Sequence, residues 1–419
     1  MEALTQLTLI WIAVFFSVMA ASHSRLTPML FYLASGCIMV NVGLLPVESD
    51  PFIRGFSEVG IIVIMFALGF EESGTNFVNS IKHSWGIALF GAIAPFLAAY
   101  AVAEYFWDDT HISLMCGLTM TATAVSLTMV SLRSEGLSRS PAATRIMTSA
   151  VLDDIGSLVL VAIMIPFVTS GHPLSMVELE VIVFRAIAFF VIVSFVGAWL
   201  FPHPHSGLFQ HVPLLSRFGI RHILSFEFGE YSVLTVLVLA VGTGIIAHEF
   251  GFHPAVGAYM AGLILREEYF DVVKPDKEIR NSYKDTKQVI DSVAFAWIGP
   301  VFFVELGSKL VFDWNIFVSV IPHTIAMTIS LMVAQIGSAA LAARYTGQLK
   351  YAGSIMVGLG MLGRAELAFV VLDIAFVQHP ILSPEAFYTL MFTAFWMNLA
   401  VPVSIRWWKP RYQQELQEA

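Results

Sequence analysis

Asp153 and Asp154 sit side by side in the segment Ser149-Ala150-Val151-Leu152-Asp153-Asp154-Ile155-Gly156-Ser157, inside an apolar run from about Arg145 to Val168. In lipid, one unpaired carboxylate costs several kcal/mol, and acids placed there mark ion pathways and proton relays. Two adjacent acids resist desolvation and also repel each other, so the pair keeps a proton until a cation displaces it. That is the chemistry of a proton-coupled cation site. The alternative, an Asp pair at a helix end among headgroups, fits less well because apolar residues flank the pair on both sides.

The chain that must position these acids has 419 residues, 57% of them hydrophobic and 13% charged, with a mean hydropathy of +0.76. Soluble domains carry about twice that charged fraction. The sequence therefore reads as a polytopic membrane protein of all-α class. A net charge of −9 argues against nucleic-acid binding. Cys37 and Cys116 both fall in apolar spans and give no disulfide framework. Residues 4–21 lack a basic leader and a small-residue cleavage site, so they are expected to be a first transmembrane helix.

Spans of about 20 apolar residues are predicted near 4–21, 27–46, 52–70, 84–106, 112–132, 145–169, 181–201, 231–249, 254–266, 288–312, 315–343, 351–378 and 385–408, thirteen in all. With the amino terminus outside, only Arg54, Arg185 and Lys309 of the 22 basic residues fall in outer segments, and Arg364 lies within a span. The rest are cytoplasmic, as the positive-inside rule requires, and so is the carboxyl terminus. Residues 202–230 read as a loop and interfacial helix joining two halves, and 267–287 as a solvated connector.

A weak internal repeat relates Tyr32-Leu-Ala-Ser-Gly36 to Tyr259-Met-Ala-Gly262, seven spans apart. An odd offset reverses direction across the membrane, which is the parity of an inverted repeat. The same offset pairs the fifth span, with Thr119, Thr121, Thr123 and Ser126, with the twelfth, with Gly358, Gly360, Gly363, Arg364 and Glu366. Hydroxyl and glycine clusters let backbone leave the helix where it lines a cavity. Two broken helices are expected, their ends offering carbonyls and dipole charge near the midplane beside the Asp pair. Small-residue packing faces are the competing reading of each cluster alone.

Taken together, Phe56-Ser-Glu58-Val-Gly60 through Gly69-Phe-Glu71, Thr123-Ala-Val-Ser126, Asp153-Asp154, Gly257-Ala-Tyr-Met-Ala-Gly262, Phe302-Phe-Val-Glu305-Leu-Gly307 and Gly363-Arg364-Ala-Glu366 make the chain resemble the cation:proton antiporter-2 family. The resemblance spans nearly the whole chain. It implies the Na+/H+ antiporter fold, with inverted five-helix repeats and two crossed broken helices, and a homodimer. On that pattern 112–169 and 315–378 are the main parts of a core ion-translocation domain, and 27–46 and 231–266 those of a dimerisation domain. By position, Asp154 is similar to the family's ion-binding carboxylate, with Asp153 its partner and Thr123 and Ser126 at the first break. The paired Asp-Asp is similar to the Na+-selective branch. Gln335 departs from that branch, which usually has Lys there. Gln can only hydrogen-bond, so Asp153 is expected to lack its counter-charge and the coupling ratio to change, electroneutral exchange being one form of this.

Arg364 and Glu366 are expected to neutralise each other or the half-helix ends, and Glu58 to support the core. Glu305 is expected to pair with Lys309 one turn on. The histidines at 203, 205, 211, 248 and 253 read as solvated or mildly pH-sensing rather than metal-binding. The expected activity is secondary active exchange of Na+, or of K+ or Li+, for H+, with the cation and proton competing for Asp153 and Asp154 in a bacterial inner membrane. A Kef-type K+ efflux system and a Na+-coupled organic anion symporter on the same fold are the alternatives. With no nucleotide loop, nucleophile triad or metal motif, neither enzymatic activity nor a cofactor is expected.

Overall fold

The computed structural model describes residues 2–24, 27–71, 77–169, scattered positions between 177 and 193, 220–224, 226–250, 252–273, 279–364 and 366–417. The elements in order are α1 (Glu2–Ser24), α2 (Pro28–Asn41), α3 (Pro51–Glu71), α4 (Phe77–Trp107), α5 (Thr110–Thr119), α6 (Val125–Ser134), α7 (Pro141–Thr169), α8 (Ile220–Leu224), α9 (Ser232–Glu249), α10 (Pro254–Ile264), β1 (Asp271–Val273), β2 (Ile279–Asn281), α11 (Tyr283–Ser292), α12 (Gly299–Ser308), α13 (Trp314–Tyr345), α14 (Tyr351–Gly360), α15 (Glu366–Asp373) and α16 (Pro384–Gln417).

Among the described residues, eight helical stretches are long and apolar enough to cross a membrane, and α2, α10 and α14 are shorter apolar helices. The expected spans 112–132 and 351–378 are each split into two helices, α5–α6 and α14–α15. Most of the expected span 181–201 and most of the linker 202–230 lie outside the described residues.

Two compact units divide the chain. The first comprises residues 1–11, 49–74 and 165–305, and the second residues 12–48, 75–164 and 306–419. In the first, α3, α9 and α10 pack together. A Cβ added at Gly69 would meet the Tyr259 carbonyl at 2.1 Å, and one at Gly262 the Phe66 carbonyl at 2.3 Å. Backbones this close trade side-chain volume for dispersion contact, as is general where lipid supplies no hydrophobic drive. His253 caps α10, its Nδ1 accepting the Ala255 N–H at 3.2 Å, so that histidine has a structural task.

The connector 267–287 departs from the solvated loop expected. Tyr269 and Phe270 are fully buried. Strands β1 and β2 pair antiparallel, and Ser282 closes the hairpin by donating to the Phe270 carbonyl at 3.2 Å. The alternating charges of this stretch hide a short apolar anchor.

In the second unit α13 packs against α4, α14 and α16, and α16 also packs on α6 and α14. Helix α16 runs past residue 408, where the apolar stretch stops. Its polar end finds partners: Tyr412 Oη accepts the Ala142 N–H at 3.1 Å, and Glu415 accepts the Ala352 and Gly353 N–H groups at 2.7 and 2.8 Å. Lys409 meets Glu135 at 2.9 Å. The start of α14 therefore has its orphan donors and positive dipole end met by a carboxylate from the far end of the chain.

Candidate functional site

Helix α5 starts on Asp109, whose Oδ1 accepts the His111 and Ile112 N–H groups. It ends where hydroxyls compete for its backbone. Thr119 donates to the Met115 carbonyl at 2.7 Å and Thr121 to the Gly117 carbonyl at 2.8 Å, a habit of Thr that weakens helix continuation. Helix α14 ends at Gly360. The extended segments that follow pair with each other. Thr123 and Arg364 form an antiparallel bridge, and the Ala124 N–H donates to the Gly363 carbonyl at 2.9 Å. Thr128 adds a hydroxyl bond to the Gly360 carbonyl. In lipid every backbone group needs a partner, and the two breaks satisfy each other.

Asp153 faces this crossing from the middle of α7. It is buried, and its Oδ2 accepts both the Thr123 N–H at 3.1 Å and the Thr123 hydroxyl at 2.8 Å. Its Oδ1 makes no hydrogen bond. Asp154, next on the helix, is partly exposed. One acid is thus locked to the break while its neighbour keeps access to its surroundings.

Arg364 is fully buried at the same crossing. Its Nη2 donates to Gln335 Oε1 at 3.1 Å and its Nη1 to the Gly363 carbonyl at 3.4 Å. Gln335, also fully buried, donates from Nε2 to the Gly91 carbonyl at 3.0 Å. Arg364 thus stands at the same crossing as Asp153, across the bridge from the Thr123 that holds that acid. Glu366, mostly buried, opens α15, where a carboxylate favours the helix N-terminus.

Asn398 is a residue that sequence reasoning misses. Buried on α16, it accepts the Arg364 N–H at 3.1 Å and donates to the Arg364 carbonyl at 3.2 Å and the Ala394 carbonyl at 2.9 Å. The signal that could have found it is a lone amide in the apolar run Phe395-Trp396-Met397-Asn398-Leu399.

The structure gathers Asp153, Thr123, Arg364 and Gln335 of the expected site, with Asp154 adjoining. Ser126 heads α6, but its side chain lies outside the described residues. Glu58 is exposed on α3, and the buried Glu305 lies on α12; both belong to the first unit. Lys309 donates to the Val47 carbonyl at 3.4 Å.

A hydrogen bond to a charged group is worth about 1.5–3 kcal/mol. If the Thr123 hydroxyl sets Asp153 for a cation, Thr123→Val is expected to raise the KM for the cation about tenfold or more. Thr123→Ser should stay near wild type. Initial exchange rates against cation concentration in proteoliposomes give both values.

Comparison with known proteins identifies the family and the fold. A family model described as sodium/hydrogen exchanger, transmembrane, matches residues 10–408. A Bacillus cereus protein named "Probable Na(+)/H(+) antiporter GerT" is 26% identical over 326 residues, 78% of each chain. Another from Bacillus cereus, named "Na(+)/H(+)-K(+) antiporter GerN", is 23% identical over 86% of this chain and 84% of its own. Among solved structures, the sodium proton antiporter MjNhaP1 of Methanocaldococcus jannaschii superposes with a TM-score of 0.70 at 14% identity, covering 97% of this chain and 98% of that one. This last likeness shows the shared fold.

Proposed function

The chain belongs to the sodium/hydrogen exchanger family, and from that premise we propose that it is a secondary active antiporter exchanging Na+ for H+ across a bacterial inner membrane. Its similarity to relatives named as Na+/H+ antiporters supports the cation. The observation that carries the reading is the Asp153–Thr123 latch at the crossed breaks, with Asp154 beside it.

Asp154 and Asp153 hold either protons or one partly dehydrated monovalent cation. Thr123, Ser126 and nearby carbonyls supply further oxygens. A bare carboxylate pair crossing lipid unloaded is costly, so each inward movement of one ion requires outward movement of the other. Residues 112–169 and 315–378 form most of the moving core, and 27–46 and 231–266 most of a homodimer contact against which access alternates. The amino terminus faces outward and the carboxyl terminus the cytoplasm, as the basic residues argue.

K+ is the second reading, favoured by the printed name of the GerN relative. Proteoliposomes with an imposed pH gradient, challenged in turn with Na+, Li+ and K+, test the proposal. Dequenching of an interior pH dye by Na+ or Li+ at lower concentration than by K+ is expected. A larger response to K+ moves the assignment to K+/H+ exchange, and no response to any of the three ends the antiporter reading.

A further inference from the structure

Helices α13 and α16 of the second unit leave a groove between them. Two cavities of about 610 and 400 Å³ lie along it, and both are lined by Thr324, Ile325 and Trp396, so the groove is continuous. On α13 its lining runs from Phe317 to Met332, a length of about 22 Å at the helical rise. One leaflet offers about 15 Å of hydrocarbon, so a chain entering from either leaflet is covered along its whole length. Ile325, Ile329, Trp396 and Val403 on the walls are each more than half exposed. Apart from Cys37, Thr324 and Thr328, the lining residues are apolar. A buried water needs about two to four polar partners, which such a lining does not supply along its length. Hydrocarbon is what fills a groove of this kind.

One end of the groove is basic. Its face on α16 reads Trp396, Leu399, Ala400 and Val403, and helical spacing carries that face on to Arg406 and Trp407. Both are exposed. Arg411, one turn further, lays its guanidinium over the Trp407 ring at 5.2 Å and the Trp408 ring at 4.6 Å. A guanidinium stacked on indole keeps its N–H edge for phosphate oxygens, and tryptophan favours the headgroup level of a bilayer. The acids at this end are committed elsewhere, Glu135 to Lys409 and Glu415 to the backbone of Ala352 and Gly353. Among the described residues, Arg406 and Arg411 form no ion pair.

We propose that an anionic phospholipid occupies this groove, one acyl chain lying between α13 and α16 and its phosphate held by Arg406 and Arg411 at the mouth. A second copy of the chain fits the same place less well. A two-fold axis along the membrane normal would set these arginines against their own copies, like charge against like. A zwitterionic lipid fills the groove but brings no net charge to the arginines. Each basic residue at the membrane surface favours anionic lipid by about fivefold, so the two together favour it by about thirtyfold.

The groove lies on the back of a helix on which the second break depends. Asn398 holds both backbone groups of Arg364, and helical spacing sets it on the side of α16 away from Trp396, Ala400 and Val403. The acyl chain thus supports from outside the helix that supports the break from inside.

Full-length protein in phosphatidylcholine liposomes tests this. The probe is phosphatidylglycerol carrying a photoactivatable group on one acyl chain, with the matching phosphatidylcholine as control. Peptide mass spectrometry after illumination is expected to place the label on segments 324–332 and 396–403. Labelling by phosphatidylglycerol should half-saturate at about thirtyfold lower mole fraction than labelling by phosphatidylcholine. Arg406→Gln combined with Arg411→Gln should abolish that preference, and the corresponding pair of lysine substitutions should keep most of it. Ala400→Trp, which fills the groove, should remove the label of either lipid. In detergent, added phosphatidylglycerol should raise the melting temperature of wild type but not of the double glutamine variant.

Groove labelling that is equal for the two lipids, or unmoved by the double glutamine variant, overturns the proposal. A melting temperature raised equally in wild type and that variant does so too. Segments that take no lipid label but are joined between copies by a bifunctional reagent show a second copy seated there, which also overturns it. Should Ala400→Trp fail to fold, the double glutamine variant, made at exposed side chains, decides alone. None of these readouts uses transport, so the result stands apart from the antiporter reading.

Discussion

Asp154→Asn is expected to reduce Na+-driven proton exchange to background, a loss of about a hundredfold or more, while the protein still folds and purifies as wild type. An amide can neither give up a proton nor balance a cation, so the exchanging group is removed outright. A loss of about a hundredfold corresponds to about 2.7 kcal/mol, well within the cost of holding a cation without its anion in the membrane interior. The fold should survive because Asp154 is partly exposed and the latch that joins α7 to the first break runs through Asp153. Dye dequenching in proteoliposomes gives the rate, and a melting curve in detergent confirms the fold. Exchange at about half the wild-type rate or better would mean that the carrier group lies elsewhere.

Asn398→Leu is expected to be the most damaging change outside the acids. Its amide serves both the N–H and the carbonyl of Arg364, groups that the broken helix leaves without intrahelical partners. Leucine fits the apolar surroundings but strands two buried polar groups, at about 1–3 kcal/mol each. A fall in the detergent melting temperature should accompany loss of most transport. Asn398→Asp, which keeps one acceptor, and Asn398→Gln, which keeps both functions on a longer stem, should rank between leucine and wild type. A leucine variant that melts and transports like wild type would show that the second break does not depend on this amide.

Much of this architecture is legible in the chain itself. Hydropathy marks α3, α4, α7, α9 and α13 because each is a long apolar run. The breaks at 120–124 and 361–364 are signalled by threonines and glycines clustered where lipid would otherwise forbid them. Asp153 and Asp154 stand out because lipid makes their presence expensive. What is not legible depends on contacts between distant segments. Gln335 reads as a missing lysine until Arg364 is seen against it from another part of the chain. Asn398 reads as one tolerated amide until its oxygen and nitrogen are found on the N–H and carbonyl of one residue. Residues 409–417 look like a loose polar end because no local pattern says that Tyr412 and Glu415 meet the starts of α7 and α14. The hairpin at 271–281 is hidden for a related reason: three-residue strands amid alternating charge carry almost no periodic signal.

The bond between Ala124 N–H and the Gly363 carbonyl constrains what kind of motion the protein can make. For α5 to slide along α14, that bond and the adjoining bridge would have to part, and the freed groups would find no water to take them. Sliding is therefore closed off, and the two interrupted helices behave as one strut with a fixed joint. Any travel the bound ion makes has to be borne at surfaces where side chains meet side chains, with the joint carried along unchanged.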